Sequence, residues 1–397
     1  NRYFTTVTAV CLLACLLVGG IKTGWRSLVA FRQEELTADS ALEAALTFTS
    51  YWEDAYTAHL PLQMKWIELN GLWQRLAGKS FVEDIAPDKS VVKDGQGGLH
   101  FSGYWYLENS FVAEGIYEQL APFQQFLAEQ KIPLYYIAAP EKVIAGYTVL
   151  PPLLNNYLNE NVDAFLAVLQ KAGIATLDLR AMLSESSSTK EGLFYRTDHH
   201  WTTPTAFQGF CCLVDTLEKS WGLQLDTANL FCDIDNYTET TYEKSFVGSQ
   251  GRRVGKYYAG VDDFTLLLPQ FDTSFRVIDQ AGNVKEGTYT ECFLAEEYLL
   301  PEDVYTNRYA AFLGGDSGIL TIENLNFPEG KRLLLLKDSF AAPAATFLSS
   351  CVSSLTLIDL RYYEGSVEEL VKEIKPDGVL FLYSSGSLAD EMFRLDE

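Results

Sequence analysis

The segment Tyr195-Arg196-Thr197-Asp198-His199-His200-Trp201-Thr202-Thr203 sets two of the chain's four histidines directly behind an aspartate. An imidazole that is to take a proton from a hydroxyl needs an acid to fix its tautomer and hold it in place. Asp198 and His200 offer that pair. The hydroxyl is expected from Ser339, which follows the apolar run Leu333-Leu334-Leu335-Leu336 and Lys337-Asp338, and precedes Phe340-Ala341-Ala342-Pro343-Ala344-Ala345. That order reads as strand, serine, helix, and a helix starting behind a serine turns backbone N–H groups toward a developing oxyanion. Ser339 as nucleophile, His200 as base and Asp198 as orienter together describe covalent catalysis by an activated serine.

Neighbouring residues fit less well. In an extended segment alternate side chains share a face, so Asp198 and His200 are expected together, with His199 turned away toward substrate or into the structure. Zinc is not expected, because adjacent histidines rarely chelate one ion and no third ligand is recognisable. No other cofactor is expected. Gly315-Asp316-Ser317 offers a second serine, but Ile319-Leu320-Thr321-Ile322 behind it reads as a strand and not as the helix a nucleophile needs. Gly314, Gly315 and Asp316 then form a tight turn or a pocket wall. Asp338 suits a helix cap. Arg361 and Tyr362 end a strand at the carboxyl edge of the sheet, where open α/β sheets hold ligands; Arg361 either binds substrate there or pairs with a carboxylate.

The TDHHWT block, the KDSF block and the intervening GSQGRRVGKYYAGVDDF resemble those of the DHHW proteins, SGNH-hydrolase relatives similar to the alginate O-acetylation proteins. The resemblance runs from about Gly95 to the C-terminus. Ordinary SGNH hydrolases place the nucleophile first; the order Asp198, His200, Ser339 resembles the permuted Asp-x-His arrangement of the alginate-type members. It implies an SGNH-like, flavodoxin-like α/β fold, with a mostly parallel sheet between helices. The implied activity is transfer of an acetyl group onto hydroxyls of a cell-surface or secreted polysaccharide, with a polysaccharide acetyl esterase and a non-catalytic glycan-binding or assembly protein as alternatives. An exported enzyme meets no cytosolic acetyl-CoA, so the resemblance also implies a membrane-bound O-acyltransferase partner that supplies the acetyl donor. Trp201 and Tyr257-Tyr258 are candidate stacking surfaces for sugar, or core aromatics.

The wider sequence supplies the elements that must position these groups. Apolar runs at 134–139, 175–179, 333–336, 355–358 and 378–383 alternate with helical stretches such as 161–172, the pattern of a parallel sheet covered on both faces. A domain over 81–397 is expected, with a β-rich insertion at about 232–327, including the alternating run Thr288 to Phe293. Residues 23–80 read as a helical connecting segment of two amphipathic helices, broken near His59-Leu60-Pro61, with Trp52, Tyr56, Trp66 and Trp73 on their buried faces, contact with a membrane surface being the alternative. From Tyr3 to Ile21 there is no charge; about 20 apolar residues span a bilayer as a helix, so residues 1–22 are expected to anchor an extracytoplasmic domain to the membrane, a cleaved signal peptide being the alternative.

A formal charge of −23 without a segregated basic stripe argues against a nucleic-acid partner. Seven cysteines in irregular spacing give neither a disulfide framework nor a metal pattern. Cys211 and Cys212 read as small buried hydrophobes, and a Cys232–Cys292 bridge is one pairing that export would permit.

Overall fold

The computed structural model describes residues 62–102, 109–152, 154–185 and 190–395. The chain divides into two compact units, 1–77 and 78–397. In the first, the described part is helix α1 (Gln63–Leu76). Trp66 and Trp73, expected on a buried face, are 38% and 69% exposed; the residues it buries are Glu68 and Gly71. The expected anchor, Trp52 and Tyr56 lie outside the described residues. Among the described residues no helix is long and apolar enough to cross a membrane.

The second unit opens with a small antiparallel sheet of β1 (Phe81–Val82), β2 (Val91–Lys93) and β3 (Leu99–Phe101). Then α2 (Ala113–Gln130), β4 (Leu134–Ala138), α3 (Leu158–Lys171) and β5 (Ala175–Asp178) alternate; a short helix covers Arg180–Glu185, and α4 (Thr203–Trp221) follows the histidine block. The interval 232–327 holds the antiparallel pair β6 (Tyr237–Phe246) and β7 (Asp262–Pro269), with the short helix α5 (Ser249–Val254) between them. It also holds β8 (Phe275–Asp279), β9 (Val284–Gly287) and β10 (Ile319–Asn324). Alternation returns with β11 (Arg332–Lys337), α6 (Ala341–Leu348), β12 (Ser354–Ile358), α7 (Val367–Ile374) and β13 (Gly378–Tyr383).

The central sheet has the order β5-β4-β13-β11-β12-β10-β8-β9. Its first five strands are parallel and the last three antiparallel, so the mostly parallel SGNH-like α/β sheet is in fact mixed. The strand sequences carry the difference. β11 and β13 are buried almost throughout, whereas β10 alternates half-buried with buried residues, as expected when one face of a strand is less covered. Thr288 to Phe293, expected as strand, is instead a helical turn over Tyr289–Phe293. Thr288 and Glu291 form a capping box, each side chain bonded to the other's backbone N–H, and that local signal outweighs a two-residue apolar period.

Alternation along the parallel strands sorts the core into two layers. Ile137, Leu333, Leu335, Leu355, Leu357 and Leu380 pack with the apolar sides of α4 and α6. Tyr136, Leu334, Leu336, Val379 and Phe381 pack with α2, α3 and α7 on the opposite face. Helices α4 and α6 therefore lie on one side of the sheet, against each other. Because each follows one of the two catalytic-type blocks, this packing brings the blocks together.

Candidate active site

Asp198, His200 and Ser339 meet at the carboxyl edge of the sheet. His200 Nε2 lies 2.7 Å from the Ser339 hydroxyl and Nδ1 lies 2.5 Å from Asp198 Oδ1. The geometry assigns the tautomer: an Nδ1 proton donated to the carboxylate leaves Nε2 as acceptor for the serine proton. Asp198 and His200 are 2% and 6% exposed, so water competes little for either contact. Asp198 Oδ1 also accepts the His200 N–H at 3.1 Å, and Oδ2 accepts the Ser249 N–H at 2.7 Å. Burial opposes ionisation of Asp198, but the His199 and His200 imidazoles and the Ser249 N–H hold its carboxyl well below the usual carboxylate range.

Two rings pack against the imidazole. The Tyr309 ring stacks on it at 3.7 Å between centroids and 9°, and the His199 ring lies 3.8 Å from it. His199 thus does not point away from its neighbours: residues 196–200 form a succession of bends instead of an extended strand, which folds the two imidazoles onto one side. His199 Nδ1 pairs with the Ser249 hydroxyl at 2.9 Å, and its ring is 38% exposed. Desolvation and the adjacent His200 push His199 below the ordinary imidazole value.

Asp198, His199 and His200 also have ligand-type atoms within 4.8 Å of one another, so Asp198 is the group that would have to join the two histidines around a cation. Both nitrogens of His200 already face partners. A cation drawing on His200 would therefore displace either Asp198 or Ser339, and the cluster is better arranged for proton transfer than for coordination.

On the serine side, Ser339 sits between β11 and α6. Asp338 does more than cap. Its Oδ1 accepts the Phe340 N–H at 2.9 Å, while Oδ2 accepts the Ser384 N–H and the Ser387 hydroxyl, each at 2.7 Å. The residue after the serine therefore has its N–H committed and is not an oxyanion donor. The Phe340 carbonyl receives the Trp201 indole N–H at 3.0 Å and the Tyr309 hydroxyl at 3.2 Å. Trp201, a candidate substrate residue, is fully buried; its ring is a strut between the histidine block and the serine block. Tyr258 is buried as well, and Tyr257 is 46% exposed.

Beside the site, Arg361 donates to both oxygens of Asp359, at 2.9 and 2.6 Å, and to Asp316 at 3.0 Å. Of its two expected roles, carboxylate pairing is the one observed. Buried Lys337 joins the same cluster, 2.7 Å from Asp316 and 3.3 Å from Asp359. Tyr362 is half exposed, with the Arg361 guanidinium 5.4 Å from its ring centroid. Ser317 lies on the loop before β10, with no helix behind it. Cys232 and Cys292 are free thiols, so the bridge considered from the sequence is not formed; Cys211 and Cys212 are half-buried.

Several supporting residues were not singled out by motif reading. Asp262 on β7 accepts the Thr197 N–H at 2.7 Å and its hydroxyl at 2.8 Å, and the Thr197 hydroxyl in turn faces the Gly248 N–H at 2.9 Å. The Gly251 N–H donates to the Thr197 carbonyl at 2.8 Å. The block from Gly248 to Phe264 is thus a wrap around the Asp198 loop. Gly248 must be glycine because a Cβ there would fall inside the Asp198 carboxylate. Gly248→Ala is expected to displace Asp198 and lower kcat at least about 100-fold, at an overpacking cost of about 1–3 kcal/mol. Ester turnover and thermal melts of the same sample check both effects.

Comparison with known proteins agrees with this geometry. Residues 108–230 match the family described as SGNH hydrolase-like domain, acetyltransferase AlgX; the match includes the histidine block and ends before Ser339. No curated protein matches the chain. Bacillus cereus PatB1, solved with a sulfonyl adduct, superposes with a TM-score of 0.65 at 23% identity, over 77% of this chain and 98% of that one. A DHHW family protein from Eubacterium siraeum superposes with a TM-score of 0.60 at 19% identity, over 80% of this chain and 99% of that one. Residues 108–230 thus match an SGNH hydrolase-like acetyltransferase domain, the chain has an SGNH-like α/β fold, and with the two blocks that close the site it is similar to the DHHW and AlgX-type proteins.

Proposed function

We propose that the protein is an extracytoplasmic O-acetyltransferase that moves acetyl onto hydroxyls of a cell-surface or secreted polysaccharide through an acyl-enzyme on Ser339. The observation that carries this reading is the unbroken chain from Ser339 Oγ through the His200 imidazole to Asp198, at 2.7 and 2.5 Å. Ser339 Oγ attacks the donor carbonyl carbon as His200 Nε2 takes its proton. The tetrahedral intermediate collapses by releasing the donor's alcohol, which leaves with that proton. An acceptor hydroxyl then gives its proton to Nε2, attacks the acyl carbon and frees Ser339, whose oxygen recovers the proton. Asp198 stays ionised and stabilises the imidazolium in both halves. The Ser339 N–H is one oxyanion donor in this scheme; the Phe340 N–H, held by Asp338, is not.

The likeness to AlgX-type acetyltransferases supports a polysaccharide acceptor. The donor side, a membrane-bound O-acyltransferase partner, and anchoring through residues 1–22 belong to the same proposal and rest on the sequence. Tyr362, half exposed beside Arg361, and the accessible ring of His199 are the groups assigned to the acceptor in this proposal. An esterase would use the same three residues, differing only in whether water or a sugar resolves the acyl-enzyme. The test is to incubate residues 24–397 with an activated acetyl ester and a panel of oligosaccharides, then quantify acetate and acetylated sugar by mass spectrometry. Acetylated sugar is expected. Acetate alone with every acceptor, from an enzyme that demonstrably turns over the ester, replaces transferase with esterase.

A further inference from the structure

Behind the triad lies a buried cation that the mechanism does not use. Lys142, in the loop after β4, is 9% exposed. Its ammonium is surrounded by oxygens: the carbonyls of Leu99 at 2.8 Å, Arg196 at 2.9 Å and Asp198 at 2.8 Å, with the Gln250 side-chain oxygen at 3.2 Å. These acceptors come from β3, from the loop that carries Asp198 and His200, and from α5. The ammonium thus joins three separate segments, and two of its carbonyl partners flank Thr197. A solvated surface lysine makes no such set, and an ion this buried is costly unless each contact is made.

We infer that Lys142 is a positioning residue for acyl transfer: its ammonium fixes the Arg196–Asp198 backbone and thereby aims the Asp198 carboxylate at His200 Nδ1. The inference rests on the reading of Ser339, His200 and Asp198 as a catalytic triad. The same ammonium ties down Gln250, whose neighbour Ser249 donates its N–H to Asp198 Oδ2, so the carboxylate is held through its own backbone and through its partner's. No other described side chain that bonds to this loop contributes a full charge to three carbonyls at once.

Chemistry supports the assignment independently of position. Burial lowers the Lys142 ammonium to about 8, against the attraction of Asp262, Asp198 and Asp94 and with added repulsion from Arg196. The buried Asp94–His100 pair, 2.8 Å apart, faces it from β3 and the turn before it. Loss of the proton leaves a neutral amine with two donors for four acceptors, so the cage slackens and activity falls as pH rises through that range. A cavity of about 280 Å³ borders Lys142 on the side lined by Gly98, Tyr147 and Arg196, which gives a small molecule access to the cage.

The test uses Lys142→Met and Lys142→Ala in the full chain. Both are expected to lower kcat for an activated acetyl ester about 100-fold with KM little changed, and to remove or shift the low-field proton resonance of the His200 Nδ1–Asp198 contact. Propylammonium supplies the atoms deleted in Lys142→Ala. It should restore at least about tenfold of the lost rate and the resonance, where 1-propanol of the same shape does not. The wild-type rate is expected to decline above about pH 8, and Lys142→Met to lack that decline. Gln250→Leu removes one acceptor without touching the charge; it should fold and lose a smaller, severalfold part of kcat, which keeps the inference testable if the lysine variants do not fold. An unaltered resonance and rate in a folded Lys142 variant, or equal rescue by amine and alcohol, overturns it. If instead the wild type turns over no acyl ester, the proposed function fails, and the resonance still decides whether Lys142 sets the Asp198–His200 contact.

Discussion

Ser339→Ala is expected to abolish the acetyl adduct seen by intact mass and to lower turnover of an activated acetyl ester by at least about 10⁴-fold, since removal of a nucleophile leaves only binding and oxyanion stabilisation. Ser317→Ala is expected to keep the adduct and most of the rate. The two serines differ in the element behind them. α6 begins two residues after Ser339, whereas β10 begins two residues after Ser317 and pairs antiparallel with β12. Of the two, only Ser339 lies within hydrogen-bond distance of His200 Nε2. An adduct persisting in Ser339→Ala would place the chemistry elsewhere.

His200→Ala should match that loss in kcat, because base and nucleophile act as a unit. His199→Ala should behave differently. Its Nδ1 contacts Ser249 and its ring packs beside His200, so its removal is expected to change KM or thermal stability while kcat stays within about tenfold. Steady-state kinetics of the two variants, with circular dichroism to verify folding, measures this ranking directly. The reverse ranking would assign the base to the wrong imidazole.

How far the sequence reveals this site depends on the range over which each signal acts. Ser339 was legible because strand, serine and helix are contiguous, and Asp198 with His200 because they are two residues apart. The parallel strands were legible for a similar reason: β11 and β13 are unbroken apolar runs. The antiparallel edge was less so. Tyr289–Phe293 has an alternating pattern, yet the Thr288–Glu291 capping box makes it helical. Trp201 stood open between a stacking surface for sugar and a core aromatic; the structure decides for the core, because its indole N–H finds a buried carbonyl 139 residues away, a contact no local pattern encodes. Lys142 and Asp262 were illegible in the same sense. Lys142 looks like an ordinary solvated charge until folding brings the carbonyls of Leu99, Arg196 and Asp198 around it. The Gly248–Phe264 block carried a resemblance without a reason; the structure supplies one, since its glycines and Asp262 enclose the Asp198 loop.

Whether Ser339 carries the acyl group is decided by locating the covalent bond. The wild-type protein is treated with a serine-directed sulfonyl fluoride, and in parallel with an activated acetyl ester quenched in acid; each sample is digested and the modified residue is assigned by tandem mass spectrometry. A single adduct on the peptide that contains Ser339 is expected with both reagents, and pre-incubation with the sulfonyl fluoride should prevent acetylation. Modification at Ser317 or any other residue, or ester turnover that continues after Ser339 is fully sulfonylated, would place the acyl group elsewhere.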